Sequence, residues 1–319
     1  MPVVEFCTSA SPITPHSMSH VTTSLMLLSA DGTKIYADAA GDFTKPAIVF
    51  IHGVSLSSVV WNDIFRDPKW TNLFYMVGIS CCFRCILLSI FWQVRYDTRG
   101  HGRSGMPTSP RAWESQRLAE DFDAVVKGFK LRRPFVLGWS LGATHIVDIL
   151  SLHPGRERYL SGAIHLTGVP FMGAGIGKAG TQFALGCLPS LNQTNDVEKF
   201  QDASRRFVNG FSRHASFELK SLCLGNFVTQ PRAVTKFVFT REQDATEFFK
   251  AGQRGYLPLL AIACTDDLIV DGRSAARALG PWKDLKLVEI EGADHMPWLS
   301  HSEAMRGLIT DWVKDILAA

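Results

Sequence analysis

Short apolar runs alternate with amphipathic stretches along the chain from Pro46 onward. Runs of aliphatic and β-branched residues this short are typical of strands that are buried on both faces of a parallel sheet. Six runs fit this description: Ala47–Ile51, Val94–Tyr96, Phe135–Leu137, Ala163–Leu166, Leu259–Ala263 and Leu287–Ile290. The alternation predicts an α/β fold, with a mostly parallel central sheet and helices on both faces.

The first and last predicted elements differ from the alternating elements between them. Near the start, Leu25–Leu28 and Lys34–Ala37 flank Asp31-Gly32, a pair of residues typical of a hairpin turn. Helical periodicity follows in Leu118–Phe129, and Ser302–Leu317 predicts a helix that closes the chain. We therefore expect the fold to begin with an antiparallel hairpin and to end on a helix.

Residues 171–256 break the alternation, because they contain helical stretches and no apparent central strand. Asp196–Phe207 and Arg241–Lys250 are two of these stretches. We interpret the region as a helical cap inserted between two strands of the core. The predicted organisation is an N-terminal extension (1–23), the first part of the core (24–170), the cap (171–256) and the second part of the core (257–319).

Composition and charge exclude several classes of protein. The 319 residues are 46% hydrophobic and 20% charged, with a net charge of +3 and no low-complexity tract. The basic residues form no stripe, so we expect no nucleic-acid partner. The first residues lack a basic start followed by an apolar run, which predicts a cytoplasmic protein without a signal peptide. The sequence does not indicate an oligomeric state.

The seven cysteines show no recurring paired spacing. Cys81, Cys82 and Cys85 resemble half of a metal site, but no second pair of Cys or His residues matches them. We therefore expect free thiols, and neither a metal nor an organic cofactor.

A candidate nucleophile lies between a predicted strand and a predicted helix. Gly138-Trp139-Ser140-Leu141-Gly142 follows Phe135–Leu137 and precedes the helical stretch Ala143–Leu152. A serine on a sharp turn between a strand and a helix needs glycines on both sides of the turn, because the backbone is strained and adjacent segments pack closely. Such a turn exposes the hydroxyl at the carboxyl end of the strand.

This segment and four others resemble the α/β-hydrolase family in type and in order. Phe50-Ile51-His52-Gly53-Val54 is similar to the strand end that supplies an oxyanion-hole amide, and Tyr96 to Ser104 contains the pattern D-x-R-G-x-G-x-S. Pro258 to Asp267 resembles the strand and turn that carry the catalytic acid, and Gly292-Ala293-Asp294-His295 resembles the histidine loop. The joint match covers the chain from about residue 25 to its end.

The resemblance implies a triad in which Ser140 is the nucleophile, His295 the general base and acid, and Asp267 the carboxylate that orients the histidine. Asp266 is the alternative acid. We prefer Asp267 because the family places its acid directly before a short apolar pair, here Leu268-Ile269.

Backbone amides complete the expected site. The N–H groups of Val54 and Leu141 are the candidate oxyanion-hole donors, and that of Leu141 lies at a helix N-terminus. We expect His52, Asp97, Arg99 and His101 to hold loops rather than react, and we expect His145 to be packed on the helix after the nucleophile.

One segment fits this scheme poorly. Residues 77–93 make the connection between His52 and Asp97 longer than one loop and one helix require. Arg84 argues against a membrane span. We hypothesise a translated intron, because Val77 and Gln93 allow the bases GT and AG at the two ends. Sequencing the mature transcript tests this hypothesis, since codons that are always retained would refute it.

The expected function is that of a serine hydrolase that cleaves a carboxylic ester, or a related acyl bond, of a small apolar substrate through an acyl-enzyme. The alternative is a ligand-binding or receptor-like protein of the same fold with little or no turnover, because fold alone does not fix function. Steady turnover after acylation distinguishes the two.

Overall fold

The computed structural model describes residues 23–71, 73–75, 86–88, 91–155, 159–193 and 195–319. Most strands of the described part join one eight-stranded sheet, in the order β1-β2-β6-β3-β7-β8-β9-β10. The strands of this sheet are β1 (Thr23–Leu28), β2 (Lys34–Gly41), β3 (Ala47–Ile51), β6 (Trp92–Tyr96), β7 (Phe135–Trp139), β8 (Gly162–Leu166), β9 (Leu259–Cys264) and β10 (Leu285–Ile290).

Strand direction divides the sheet into two parts. β1 pairs antiparallel with β2, and β2 pairs antiparallel with β6, whereas every pair from β6 to β10 is parallel. The turn between β1 and β2 contains Gly32, whose φ of 82° suits glycine. The α/β fold, the mostly parallel sheet and the opening hairpin are therefore as predicted from the sequence.

Helices cover both faces of the sheet. Their bounds are α1 (Asn62–Arg66), α2 (Pro68–Thr71), α3 (Ser115–Gly128), α4 (Thr144–Leu152), α5 (Ala174–Ala179), α6 (Gln182–Leu191), α7 (Val197–Asn209), α8 (Phe217–Thr229), α9 (Arg232–Thr240), α10 (Thr246–Arg254), α11 (Gly272–Ala278), α12 (Pro297–Ser300) and α13 (Ser302–Ala318). Single 3-10 turns occupy Ser58–Trp61, Pro110–Trp113 and Ser140–Ala143.

The pleat of the sheet assigns alternate residues to two hydrophobic clusters. Val49 of β3 packs in one cluster with Phe122 of α3, whereas its neighbour Phe50 packs in the other with Trp312 of α13. Both faces are thus buried, which explains why the central strands are apolar throughout rather than alternating.

The region between β8 and β9, which we call the cap segment (residues 171–256), contains α5 to α10 and no strand among its described residues. The predicted helical stretch Arg241–Lys250 is helical only from Thr246 onward, so its first half was wrong. Arg241 to Ala245 lie between α9 and α10, and the next helix begins at Thr246. Arg241 and Gln243 instead extend toward Asp148 of α4, with which both form hydrogen bonds.

The suspected insert, residues 77–93, lies largely outside the described residues. β4 (Leu73–Tyr75) pairs antiparallel with β5 (Ile86–Leu88) in a separate two-stranded sheet. Trp92 and Gln93 are part of β6 and pair with Ala47 and Ile48 of β3. The intron hypothesis therefore requires Tyr75 and Met76 to take these two places in the strand. In the part of the chain that the structure describes, no helix is long and apolar enough to cross a membrane.

Candidate active site

Ser140 lies at the carboxyl end of β7, on the turn that leads into α4. Its φ is +55°, a left-handed conformation that a residue with a side chain rarely adopts. Strain of this kind is characteristic of functional positions, where the surrounding structure holds the backbone in place. The sequence pattern of a serine between a strand and a helix thus corresponds to a strained elbow.

The glycines on either side of the elbow are required by close backbone contacts. A Cβ atom on Gly138 would lie 2.3 Å from Cα of Ala143. A Cβ atom on Gly142 would lie 2.5 Å from the carbonyl oxygens of Ile51 and His52. The turn after Ser140 is therefore pressed against the end of β3, which leads directly into Val54.

His295 and Asp267 form a buried pair. His295 Nδ1 lies 2.8 Å from Asp267 Oδ2, and both side chains are almost completely buried. Asp267 Oδ1 accepts hydrogen bonds from the backbone N–H groups of Ile269 (2.7 Å) and Val270 (3.0 Å). An Nδ1–H that donates to the carboxylate leaves Nε2 as the acceptor nitrogen of the ring.

Asp266, the alternative acid, points elsewhere. Its side chain is 40% exposed and forms an ion pair with Arg213 at 2.9 Å. The backbone N–H of Asp266 donates to the carbonyl of Ala293, which ties the acid turn to the histidine loop. Of the two adjacent aspartates, Asp267 is the one that contacts His295.

The histidine loop is anchored to the residue before Ser140. The indole Nε1–H of Trp139 donates to the carbonyl oxygen of His295 at 2.8 Å, and the two rings lie 5.1 Å apart. Phe211 of the cap segment packs against both rings. Trp139 occupies a variable position of the serine motif, so the motif did not reveal this role.

His295 Nε2 is buried and has no hydrogen-bond partner among the described residues. The hydrogen bonds formed within the described ranges do not include one between Ser140 Oγ and this nitrogen, although both residues are buried. Catalytic hydrogen bonds are often long in the absence of substrate and shorten in the reacting complex. The lone pair of this nitrogen is therefore not engaged by another described residue.

The two candidate oxyanion residues, Val54 and Leu141, are both buried. They line one small cavity of about 20 Å³ together with three histidines, His52, His101 and His145. A larger groove of about 550 Å³ lies between α7 and α8 on the cap segment, and its lining includes none of the predicted site residues.

His52 and His101 are held by neutral groups rather than by carboxylates. His52 Nδ1 lies 2.8 Å from the carbonyl oxygen of Gly53, and its Nε2 accepts from the N–H of Thr98 at 3.1 Å. His101 Nδ1 lies 2.9 Å from Thr98 Oγ1. Burial lowers the pKa of all three imidazoles, that of His101 to about 3. These rings are therefore neutral at pH 7.

Asp97 and Arg99 hold the loop after β6. Asp97 accepts hydrogen bonds from the N–H groups of Ser58 (2.7 Å) and Arg103 (2.8 Å). Burial alone would raise the pKa of Asp97, but the hydrogen bonds from Ser58 and Arg103 lower it overall. The buried guanidinium of Arg99 binds Asp121 with two nitrogens, each at 2.7 Å.

The described residues contain no group of three or more His, Cys, Asp or Glu side chains that could hold a metal ion. Cys187, Cys223 and Cys264 are buried and free. The residues Cys81, Cys82 and Cys85, which resembled half of a metal site, lie outside the described residues.

Comparison with known proteins agrees with this architecture. The model of the alpha/beta hydrolase family matches residues 48–307. A protein of Mycobacterium bovis named "Probable oxidoreductase EphD" is 31% identical over 134 residues, which are 42% of this chain. That match spans only 19% of the length of the relative.

Two solved esterases are similar in structure. Esterase RhEst1 from Rhodococcus sp. ECU1013 has a TM-score of 0.74 at 21% identity, covering 92% of this chain and 99% of its own. The esterase EaEST from Exiguobacterium antarcticum has a TM-score of 0.68 at 16% identity, covering 91% of this chain and 98% of its own. At these identities the similarity establishes the fold.

Proposed function

Because the chain belongs to the alpha/beta hydrolase family, we propose that it is a serine hydrolase that cleaves a carboxylic ester through an acyl-enzyme. One observation carries the proposal: the imidazole of His295 is oriented by Asp267 at 2.8 Å and fixed to the residue before Ser140, while its Nε2 has no partner in the described part of the chain. A histidine held in this way can act as a general base toward a serine.

In the first half of the proposed reaction, the Ser140 hydroxyl transfers its proton to His295 Nε2 while Oγ attacks the acyl carbon. The carbonyl oxygen becomes an oxyanion, which the N–H groups of Val54 and Leu141 stabilise. The bond to the alkoxy group then breaks, and the imidazolium returns the proton to the departing oxygen. An alcohol leaves, and the acyl group remains on Ser140.

In the second half, water takes the place of the alcohol. His295 accepts one proton from the water as its oxygen attacks the acyl carbon, and a second oxyanion forms at the same amides. Collapse releases the carboxylic acid, and His295 returns the proton to Ser140 Oγ. Asp267 stabilises the imidazolium in both halves without accepting a proton from it.

The residues around the triad favour a small apolar substrate. Trp139 and Phe211 pack against the ring of His295, and Trp298 packs against Trp139. Ser140 and His295 are both buried. An ester with a short acyl group and an apolar alcohol presents the surface that such a lining binds. The cap segment contributes Phe211 to these packed rings, and in our proposal it takes part in substrate choice.

Labelling with a fluorophosphonate probe tests the proposal, with the modified residue located by peptide mass mapping. We expect covalent labelling of Ser140 in the wild-type protein and none in Ser140→Ala. Steady hydrolysis of p-nitrophenyl acetate or butyrate, lost in the same variant, completes the expected result. A folded wild-type protein without labelling would refute the proposal.

The assay with p-nitrophenyl esters also distinguishes the alternative of a ligand-binding protein. Rapid acylation by a p-nitrophenyl ester, with one equivalent of p-nitrophenol released and no steady rate afterwards, would favour a receptor-like role. Sustained turnover would favour the enzyme.

A further inference from the structure

Two buried side chains of the cap segment reach the core beside the two candidate oxyanion amides. The first is Gln230, at the end of α8, which is 3% exposed. Its Oε1 accepts a hydrogen bond from Ser55 Oγ at 2.7 Å, and its Nε2 donates to the carbonyl oxygen of Gly100 at 3.0 Å. Ser55 directly follows Val54 in the chain.

Ser55 is itself in a conformation that needs support. Its φ is +51°, in the left-handed region that side chains disfavour. A strained backbone persists only where the surrounding structure holds it. The bond from Ser55 Oγ to Gln230 is one such contact, and it fixes the peptide next to the Val54 amide from outside the core.

The second side chain is Arg241, which follows α9. Its Nη1 lies 2.8 Å from both carboxylate oxygens of Asp148. Its Nη2 donates to Thr144 Oγ1 at 2.8 Å, and Thr144 Oγ1 in turn donates to the carbonyl oxygen of Leu141 at 2.7 Å. Gln243 adds a bond from its amide nitrogen to the carbonyl oxygen of Thr144, also at 2.8 Å.

The two sets of contacts meet the core at comparable points. One ends on the residue after Val54, and the other ends, through Thr144, on the carbonyl of Leu141. Contacts that only stabilised the fold could join the cap segment to the core at any position along the segment. An oxyanion hole must hold its donors within about 0.5 Å of the productive geometry. Contacts at these two places can therefore hold the N–H groups of Val54 and Leu141 in position, one set of contacts for each donor.

We propose that Gln230 and Arg241 are positioning residues, through which the cap segment holds the Val54 and Leu141 amides in the geometry that an oxyanion needs. The inference rests on the proposed function and deepens it. The cap segment then has two roles, because it packs Phe211 against His295 and also sets the donors that stabilise the reacting oxygen.

The test removes each contact with a substitution of similar size. Gln230→Met removes the bonds to Ser55 and Gly100 and also the bond that Gln230 Oε1 accepts from Thr235 Oγ1 within the cap segment. Ser55→Ala removes only the bond to Ser55, from the core side. Thr144→Val breaks the connection to Leu141 while leaving Arg241 paired with Asp148. This last variant matters because removing Arg241 itself would leave a buried carboxylate unpaired and could prevent folding.

We expect kcat for a p-nitrophenyl ester to fall roughly 10- to 100-fold in Gln230→Met and Thr144→Val, because loss of a whole oxyanion donor costs about 10²–10³. KM should change by less than about threefold, since the ground-state carbonyl depends little on these amides. Inhibition by a trifluoromethyl ketone, which forms an oxyanion on the serine, should weaken by the same factor as kcat/KM. Ser55→Ala combined with Gln230→Met should cost no more than the larger single change.

Val125→Ala is the matched control, because Val125 is buried in α3 on the other face of the sheet. It should lower the melting temperature and leave both kcat and ketone inhibition unchanged. The proposal is overturned if Gln230→Met and Thr144→Val behave like Val125→Ala, losing stability but not kcat. If the wild-type protein is not labelled by a fluorophosphonate, the proposed function fails and this inference fails with it.

Discussion

The carboxyl end of the sheet holds two groups of buried histidines that differ in their partners. His295 has a carboxylate on one ring nitrogen, and its other nitrogen has no partner among the described residues. His52 and His101 have carbonyl, hydroxyl and backbone N–H partners and no carboxylate bonded to the ring, although His101 Nε2 also has no partner among the described residues. His145 shares their cavity beside the oxyanion residues.

Burial alone therefore does not make a histidine a candidate base. A carboxylate behind the ring fixes the tautomer and stabilises the imidazolium that forms during proton transfer. Without a carboxylate, burial opposes the charged form, which is why the pKa of His101 is lowered to about 3. The first arrangement suits proton transfer, and the second suits a neutral packed ring.

Replacing the carboxylate that orients His295 should have the largest effect on activity. Asp267→Asn should lower kcat by about 10³- to 10⁴-fold, because the amide favours the wrong tautomer of His295. Asp266→Asn, the matched control one residue away, should change kcat by less than tenfold, since Asp266 pairs with Arg213 near the surface. Ester hydrolysis by the two purified variants checks both values. A larger loss in Asp266→Asn would reverse the assignment.

The neutral histidines should make the fold sensitive to acid. His101 has a folded pKa of about 3 against about 6.5 when unfolded, so the unfolded chain binds more protons between these values. The free energy of unfolding should therefore decrease as the pH falls below 6.5, by on the order of 1 kcal/mol from His101 at pH 5.5.

Urea unfolding at pH 7.5 and 5.5 measures this effect, with His101→Gln compared with the wild-type protein. The variant should lose less stability between the two pH values. Carboxylates of raised pKa such as Asp148 act in the opposite sense, but they are common to both proteins and cancel in the difference. Equal losses would show that His101 is not the sensitive group.

Replacing Cys264 should have the smallest effect on activity, although this residue lies three positions before Asp267. Burial and the nearby charges of Asp267 and Asp294 raise the pKa of its thiol, so the group is neutral at pH 7. Cys264→Ala should leave kcat within about twofold and cost on the order of 1 kcal/mol of stability. Activity and melting measurements check this expectation, and a large loss of kcat would add a thiol to the site.

The sequence was informative wherever a local pattern corresponds to a local structure. The run Ala47–Ile51 is a strand with the predicted bounds, and the bounds of the other predicted strands differ from the observed ones by only a few residues. These predictions succeeded because short apolar runs suit a sheet buried on both faces. The serine motif predicted the elbow because Gly138 and Gly142 are needed where backbones nearly touch.

Contacts between segments far apart in the chain could not be predicted. Trp139 donates to the carbonyl of a residue 156 positions away. Arg241 had the appearance of an ordinary charged helical residue, but it lies just after α9 and pairs with Asp148. Asp267 was preferred over the adjacent Asp266 from its place before Leu268-Ile269, but the ion pair of Asp266 with Arg213 could not be predicted. Such contacts depend on tertiary packing, which periodicity does not report.

The role of His295 as the base that activates Ser140 is tested most directly by the rate at which Ser140 reacts with a fluorophosphonate in His295→Gln and in His101→Gln. Both changes replace a buried histidine with a neutral side chain of similar length at the same end of the sheet. The account predicts a loss of at least about 10³-fold for His295→Gln and less than tenfold for His101→Gln. Equal losses in two folded variants, or a larger loss for His101→Gln, would contradict the assignment of His295 as the base that activates Ser140.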